Sequence, residues 1–150
     1  MSVLACTWLG RRDYQSVWDL QEAIRTRILA GEVHAERVLF VEHDPVITLG
    51  RSAKAEHVLW TEAMRRTRGV DVVAVNRGGD ATYHGPGQLV IYPVVRLSRG
   101  VLVHVRTIGE TISAELAALG VDATWRRKPL GVWVGDKKVA ACGVHVRRDV

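Results

Sequence analysis

Between Asp71 and Val95 the sequence sets a glycine-rich, polar stretch inside two apolar runs, and this restricts what the chain can fold into. Asp71-Val-Val-Ala-Val-Asn76 and the run from Gln88 to Val95 read as buried strands. Arg77-Gly-Gly-Asp-Ala-Thr-Tyr-His-Gly-Pro-Gly87 reads as the loop they hold. Glycine accepts positive φ and, lacking Cβ, lets a ligand approach the backbone, so Gly78, Gly79, Gly85 and Gly87 alone imply only sharp turns. Arg77, Thr82, Tyr83 and His84 add a guanidinium, two hydroxyls and an imidazole, more polar chemistry than a packed loop requires. Neither a Gly-Lys-Ser/Thr ending nor a GxGxxG spacing is present, which removes support for a nucleotide-phosphate cradle.

The flanking sequence supplies a mixed set of elements. After Asp13, a helix N-cap by type, Val17, Leu20, Gln21, Ile24 and Ile28 recur at helical spacing until Gly31. Arg37 to Glu42 and Val46 to Leu49 read as strands around the turn His43-Asp44-Pro45. A short helix is expected over Thr61 to Arg68, and Val105, Ile108, Ile112, Leu116 and Leu119 mark a longer one closed by Gly120. Gly131 to Val134 and Lys138 to Val146 flank Gly135-Asp136 as a hairpin. Strands and helices in this order predict an α+β (mixed α/β) domain, and with no linker, repeat or low-complexity segment the 150 residues read as one globular unit.

A net charge of +5 favours an acidic partner. The basic groups Arg65-Arg66 with Arg68, Arg126-Arg127-Lys128 and Arg147-Arg148 are not interleaved with aromatic platforms, so nucleic acid is not the expected partner. Cys6 and Cys142 stand almost a chain length apart and form neither a disulfide framework nor a CxxC site, which suits a reducing cytoplasm. Charge at Arg11, Arg12 and Asp13 interrupts any signal-peptide pattern, and no apolar run approaches the roughly 20 residues of a membrane span.

The contiguous string from Arg77 to Pro93 strongly resembles the signature of the lipoyl(octanoyl) transferases, in the biotin/lipoate protein ligase-like superfamily. Glu42-His-Asp-Pro-Val-Ile-Thr-Leu-Gly-Arg51 is similar to an upstream block of that family, and Gly131 to Val134 with Lys138 to Arg147 to a downstream one, in family order. The resemblance implies a largely antiparallel mixed sheet with packed helices. It implies transfer of an octanoyl group from octanoyl-acyl carrier protein to a lysine of lipoyl domains, those of 2-oxoacid dehydrogenases and of the glycine cleavage H protein, with no membrane, metal or other cofactor. It places Arg77, Gly78, Gly79, Asp80, Ala81, Thr82, Tyr83 and His84 at the acyl substrate, with Ala141, Cys142 and Gly143 as a second contact stretch. His43 and Arg51 take no catalytic role from it, and the plain alternative for His84 is a histidine bonded within a turn. Two other readings share these residues: a lipoate or biotin protein ligase using ATP, against which His84-Gly-Pro-Gly-Gln88 speaks, and a non-catalytic remnant binding acyl groups or lipoyl domains.

Period-two alternation places Lys138 with Ala140, Cys142, Val144 and Val146, an apolar set, which predicts an inward lysine whose ammonium is desolvated. The alternative is a lysine that snorkels at a strand end. The resemblance assigns Lys138 the family's catalytic role, lowering the pKa of a nucleophilic cysteine and shuttling protons. That cysteine is expected beyond Val150, so the chain reads as a C-terminally incomplete catalytic domain. Four strand steps separate the Cα atoms of Lys138 and Cys142 by about 13 Å, too far for a lysine–thiolate hydrogen bond. Cys142 reads instead as a small buried hydrophobe, and Cys6 matches no family nucleophile.

Overall fold

A computed structural model describes residues 4–32 and 34–150. By their internal contacts these described residues divide into two compact units, one of those up to Arg96 with Val150 and the other of 97–149. Both combine strands and helices, in agreement with the α+β expectation.

In the first unit, strand β1 (Ala5–Arg12) runs parallel to β2 (Arg37–His43), and β2 pairs antiparallel with β6 (Val90–Val94). Helix α1 (Tyr14–Leu29) starts where expected, because the Asp13 carboxylate accepts from the Ser16 amide at 2.9 Å. Ile24 and Ile28 of α1 pack with Ala35, Leu39, Val94 and Val150 into a buried cluster bordered by Leu9, Leu29 and Tyr92. Full burial of each such aliphatic chain contributes about 1.5–3 kcal/mol. Alternation along β2 fixes the inner face as Leu39, Val41 and His43, the last fully buried. On the other face Trp8, Phe40 and Ile91 stand opposite one another across the three strands, with Trp8 62% exposed.

A second sheet of this unit has β3 (Val46–Leu49) in its centre, parallel to β4 (Asp71–Ala74) and antiparallel to β5 (Ala81–His84). A 3-10 turn, Ala55–His57, and the short helix α2 (Glu62–Thr67), capped by the Thr61 hydroxyl on the Met64 amide, lie between β3 and β4. Strand β5 corrects the sequence reading, since part of the expected loop, Ala81 to His84, is paired with β3. Thr82 and Tyr83 have the β-branched and aromatic side chains that suit a strand, a preference masked by the surrounding glycines. β1 likewise went unread, because Gly10 and two arginines interrupt its apolar pattern.

The second unit packs helix α3 (Val101–Ala118) on an antiparallel meander of β7 (Thr124–Arg127), β8 (Leu130–Val134) and β9 (Lys137–Ala140). Gly109 lies where α3 meets Trp125: a Cβ there would sit 2.1 Å from Cε3 of the indole. Alanine favours helix by about 1 kcal/mol over glycine, but the overpacking costs about 1–3 kcal/mol. Gly109→Ala is therefore expected to be net destabilising, read as a lower urea midpoint. A neutral or raised midpoint shows that the indole moves aside freely. Among the described residues no helix is long and apolar enough to cross a membrane.

Candidate active site

The Arg77–Asp80 loop is held by the chain that leaves β3. The amides of Gly50, Arg51 and Ser52 donate to the carbonyls of Asp80, Arg77 and Gly79 at 3.3, 3.1 and 3.0 Å. The Arg77 guanidinium closes the clamp from within. Its Nη1 donates to the carbonyls of Gly78 (3.1 Å) and Asp80 (2.9 Å), and its Nη2 to the carbonyl (3.1 Å) and hydroxyl (2.6 Å) of Thr48. Thr48, fully buried, donates its own hydroxyl hydrogen bond to the Thr82 carbonyl at 3.3 Å. Gly50 must be glycine, because a Cβ would stand 2.4 Å from the Gly79 carbonyl oxygen, and Gly79 itself adopts φ +93°. Asp80 turns outward, accepting from His57 Nδ1 (2.6 Å) and the Ala81 amide (2.6 Å); the histidine first, then the amide, hold its carboxyl below the usual range.

Antiparallel register separates the faces of β5. Thr82 and His84 share the side of Thr48 and Val46, whereas Ala81 and Tyr83 share that of Leu49 and Ile47. On the first side a polar cluster gathers. The Tyr14 ring lies parallel to His84 at 6.3 Å between centroids and 5.2 Å from His43, and His43 lies 5.9 Å from His84. His43 Nδ1 is 3.1 Å from the Arg12 carbonyl and Nε2 is 3.0 Å from the Tyr92 hydroxyl. A carbonyl only accepts, so Nδ1 carries the proton; burial pushes the ring below its ordinary range, so Nε2 is bare and Tyr92 donates to it. Burial raises Tyr14 and, more strongly, Tyr92, and the Arg77 charge opposes both shifts.

His43, His84 and, in the second unit, His104 are all depressed by burial. The unfolded chain then binds more protons than the fold between the free histidine value of 6.5 and the lower folded values. Stability is expected to be complete above that value and to fall as pH drops through the window, by up to about 1.4 kcal/mol per pH unit for the fully buried His43. Urea unfolding between pH 7.5 and 5 checks this, and a midpoint that holds steady or rises on acidification contradicts it.

On the other side of β5 lies an open apolar cavity of about 260 Å³, lined by Ile47, His57, Val58, Leu59, Trp60, Ala81, Thr82 and Tyr83. Trp60 and Tyr83 form its aromatic wall at 6.1 Å, and the Arg68 guanidinium lies over the Trp60 ring at 5.1 Å. The site residues read from sequence on this segment are thus adjacent in space, with Ala81 and Tyr83 at the apolar hollow, His84 at the polar cluster, and Thr82 facing Thr48 while also lining the hollow.

Lys138, Ala141, Cys142 and Gly143 lie in the second unit. The inward lysine is not observed: Lys138 is exposed, its ammonium over the Trp133 ring at 5.1 Å, with Arg126 on the same ring at 5.4 Å. The cause is a register shift, in which Val132 faces Ala140 but its neighbour Trp133 faces Lys138. One step on β8 matches two on β9, so Lys138 and Ala140 no longer share a side. From Ala140 onward the alternation holds, with Cys142, Val144 and Val146 half-buried, although the paired strand ends at Ala140. Burial pushes the Cys142 thiol up, the opposite of an activated nucleophile. Gly131 lets this hairpin close, because a Cβ would meet the Ala140 carbonyl at 2.7 Å and the Lys138 stem at 3.1 Å.

Residues 13–150 match the lipoyl protein ligase A/B catalytic domain. The chain belongs to that family. An octanoyltransferase of Solibacter usitatus is 42% identical over 145 residues, 95% of this chain and 66% of that protein, and one of Chloroflexus aggregans is 39% identical over 151 residues, 97% and 68% respectively. A Pyrobaculum arsenaticum relative is 44% identical over 142 residues, 95% of this chain and 63% of its own length, so the chain spans about two thirds of these proteins. A lipoate-protein ligase A bound with ATP superposes with a TM-score of 0.71 at 19% identity, covering 90% of this chain and 58% of that one. The bipartite lipoate protein ligase of Thermoplasma acidophilum gives 0.64 at 19%, covering 91% and 52%. The ligase-like fold expected from the sequence is therefore present.

The sequence reading missed Tyr14, Thr48, His57, Gln88 and Tyr92 as parts of the site. Tyr92 had a signal: it is the polar member of the alternating set Val90, Tyr92, Val94, and such a residue among core positions needs a partner. Among the described residues no three His, Cys, Asp or Glu side chains converge to hold a metal ion.

Proposed function

We propose that this domain of the lipoyl protein ligase A/B family transfers an octanoyl group from octanoyl-acyl carrier protein to a lysine of lipoyl domains, those of 2-oxoacid dehydrogenases and of the glycine cleavage H protein. The observation that carries the reading is the Arg77 clamp. Its guanidinium spends four hydrogen bonds on the protein itself and remains a fixed positive charge beside Tyr14 and His84. Such a charge favours the oxyanion and thiolate of acyl transfer. Residues Arg77 to His84 bind the acyl donor, with the Gly78 and Gly79 amides toward the thioester carbonyl. Ala141, Cys142 and Gly143 contact the substrate, and Lys138 supplies acid–base chemistry to the acyl-bearing cysteine. The raised Cys142 thiol supports its assignment as structural rather than nucleophilic.

The net charge of +5 suits docking of an acidic carrier protein in the cytoplasm, and its binding is expected to weaken at least several-fold between about 50 and 300 mM salt. Salt-independent affinity on titration calorimetry removes that support. The deciding assay mixes the protein with octanoyl-acyl carrier protein and unmodified lipoyl domain and follows the domain by intact mass. Octanoylation without ATP supports the transferase. A requirement for ATP and free octanoate makes the protein a ligase, and saturable binding without product at any protein concentration makes it a binding remnant. A thioester on Cys142 overturns its structural assignment.

A further inference from the structure

The two histidines of the polar cluster differ in one respect that the transferase chemistry can use. The orientation of the Gln88 amide is fixed, because its Nε2 donates to the Tyr83 carbonyl at 3.2 Å. Its Oε1 therefore faces His84 Nδ1, at 2.5 Å, and an amide oxygen only accepts. His84 must carry its proton on Nδ1. Burial, joined by the Arg77 charge and opposed by the hydrogen bond to Gln88, favours the neutral ring, and in that form its Nε2 is a lone pair. In His43 the equivalent lone pair is filled by the Tyr92 hydroxyl. In His84 no hydrogen bond reaches it from the described residues.

We propose that the bare Nε2 of His84 receives the amine of the incoming lysine, as hydrogen-bond acceptor and then as proton acceptor. This rests on the transferase reading. The groups around the ring suit a neutral amine: the Tyr14 face lies parallel to it, His43 is uncharged, Gln88 is neutral, and the Arg77 charge disfavours an ammonium. In the step, the lysine nitrogen attacks the thioester carbonyl carbon, the new C–N bond forms and the C–S bond breaks. The proton shed by nitrogen passes to His84 Nε2 and then to the departing thiolate, which leaves as a thiol with the ring neutral again. The Gln88–Tyr83 chain holds the tautomer, so Gln88 is a positioning residue and His84 a catalytic one.

Two measurements on the whole chain test this. Ring nitrogen-15 NMR of the wild-type protein is expected to show His84 with a protonated Nδ1 and an unprotonated Nε2 whose resonance moves on adding unmodified lipoyl domain. His84→Ala is expected to weaken binding of that domain about tenfold, while leaving unchanged the binding of a domain whose target lysine is replaced by methionine. A free protein with the proton on Nε2 overturns the proposal whatever the variant does. So does an equal loss with both domains, which marks His84 as merely structural. Failure of the wild-type protein to bind any lipoyl domain is a separate result, seen before any variant is made, and it removes the transferase reading and this step with it.

Discussion

Arg77→Met is expected to destabilise the first unit by about 3 kcal/mol. The substitution leaves the Gly78, Asp80 and Thr48 carbonyls and the Thr48 hydroxyl without their donor in a partly buried site. Neutral buried hydrogen bonds each contribute about 1 kcal/mol, charge-assisted ones more, and the four share one planar fork, so losses are not simply additive. Arg77→Lys separates charge from geometry. An ammonium keeps the positive field but cannot place one nitrogen on the loop and another on β3 at once, so the lysine variant is expected to recover less than half of the lost stability. The urea midpoint, with the slope checked for two-state behaviour, gives both numbers. A loss under about 1 kcal/mol for methionine, or full recovery by lysine, shows that the backbone bonds from Gly50, Arg51 and Ser52 hold the loop unaided.

The clamp also shows where sequence reading succeeds and where it stops. Arg77 was legible as a site residue because a guanidinium among glycines stands out, but its partners were not, since Thr48 lies 29 residues away on a strand that looks merely apolar. Helix α1 was legible almost to the residue, because Asp13 caps it and Val17, Ile24 and Ile28 repeat at the helical period; these are local signals. β5 was not, because its strand character comes from pairing with β3, a long-range property. Tyr14 fell outside the site for the same reason: it is an ordinary first-turn residue of a helix until the fold lays it against His84. The inward Lys138 failed differently. Parity is sound only in a strand without a register shift, and no residue type between Val132 and Ala140 announces one.

Because the Lys138 side chain is exposed and its visible interaction is with the Trp133 ring, Lys138→Ala is expected to change stability by no more than about 1 kcal/mol, the scale of a surface cation–π contact. If the acid–base role is correct, the same substitution lowers octanoyl transfer about 10²- to 10⁴-fold, the usual contribution of a positioned proton-transfer group. Single-turnover transfer and urea unfolding, measured on the same variant, keep the two effects apart. Lys138→Arg is the discriminating companion: it retains the charge over Trp133 and the stability, but a guanidinium does not give up its proton, so transfer is not restored. Restored transfer with arginine assigns Lys138 a purely electrostatic part. Near-normal transfer with alanine leaves it a surface lysine stacked on an indole, as the hairpin geometry alone describes it.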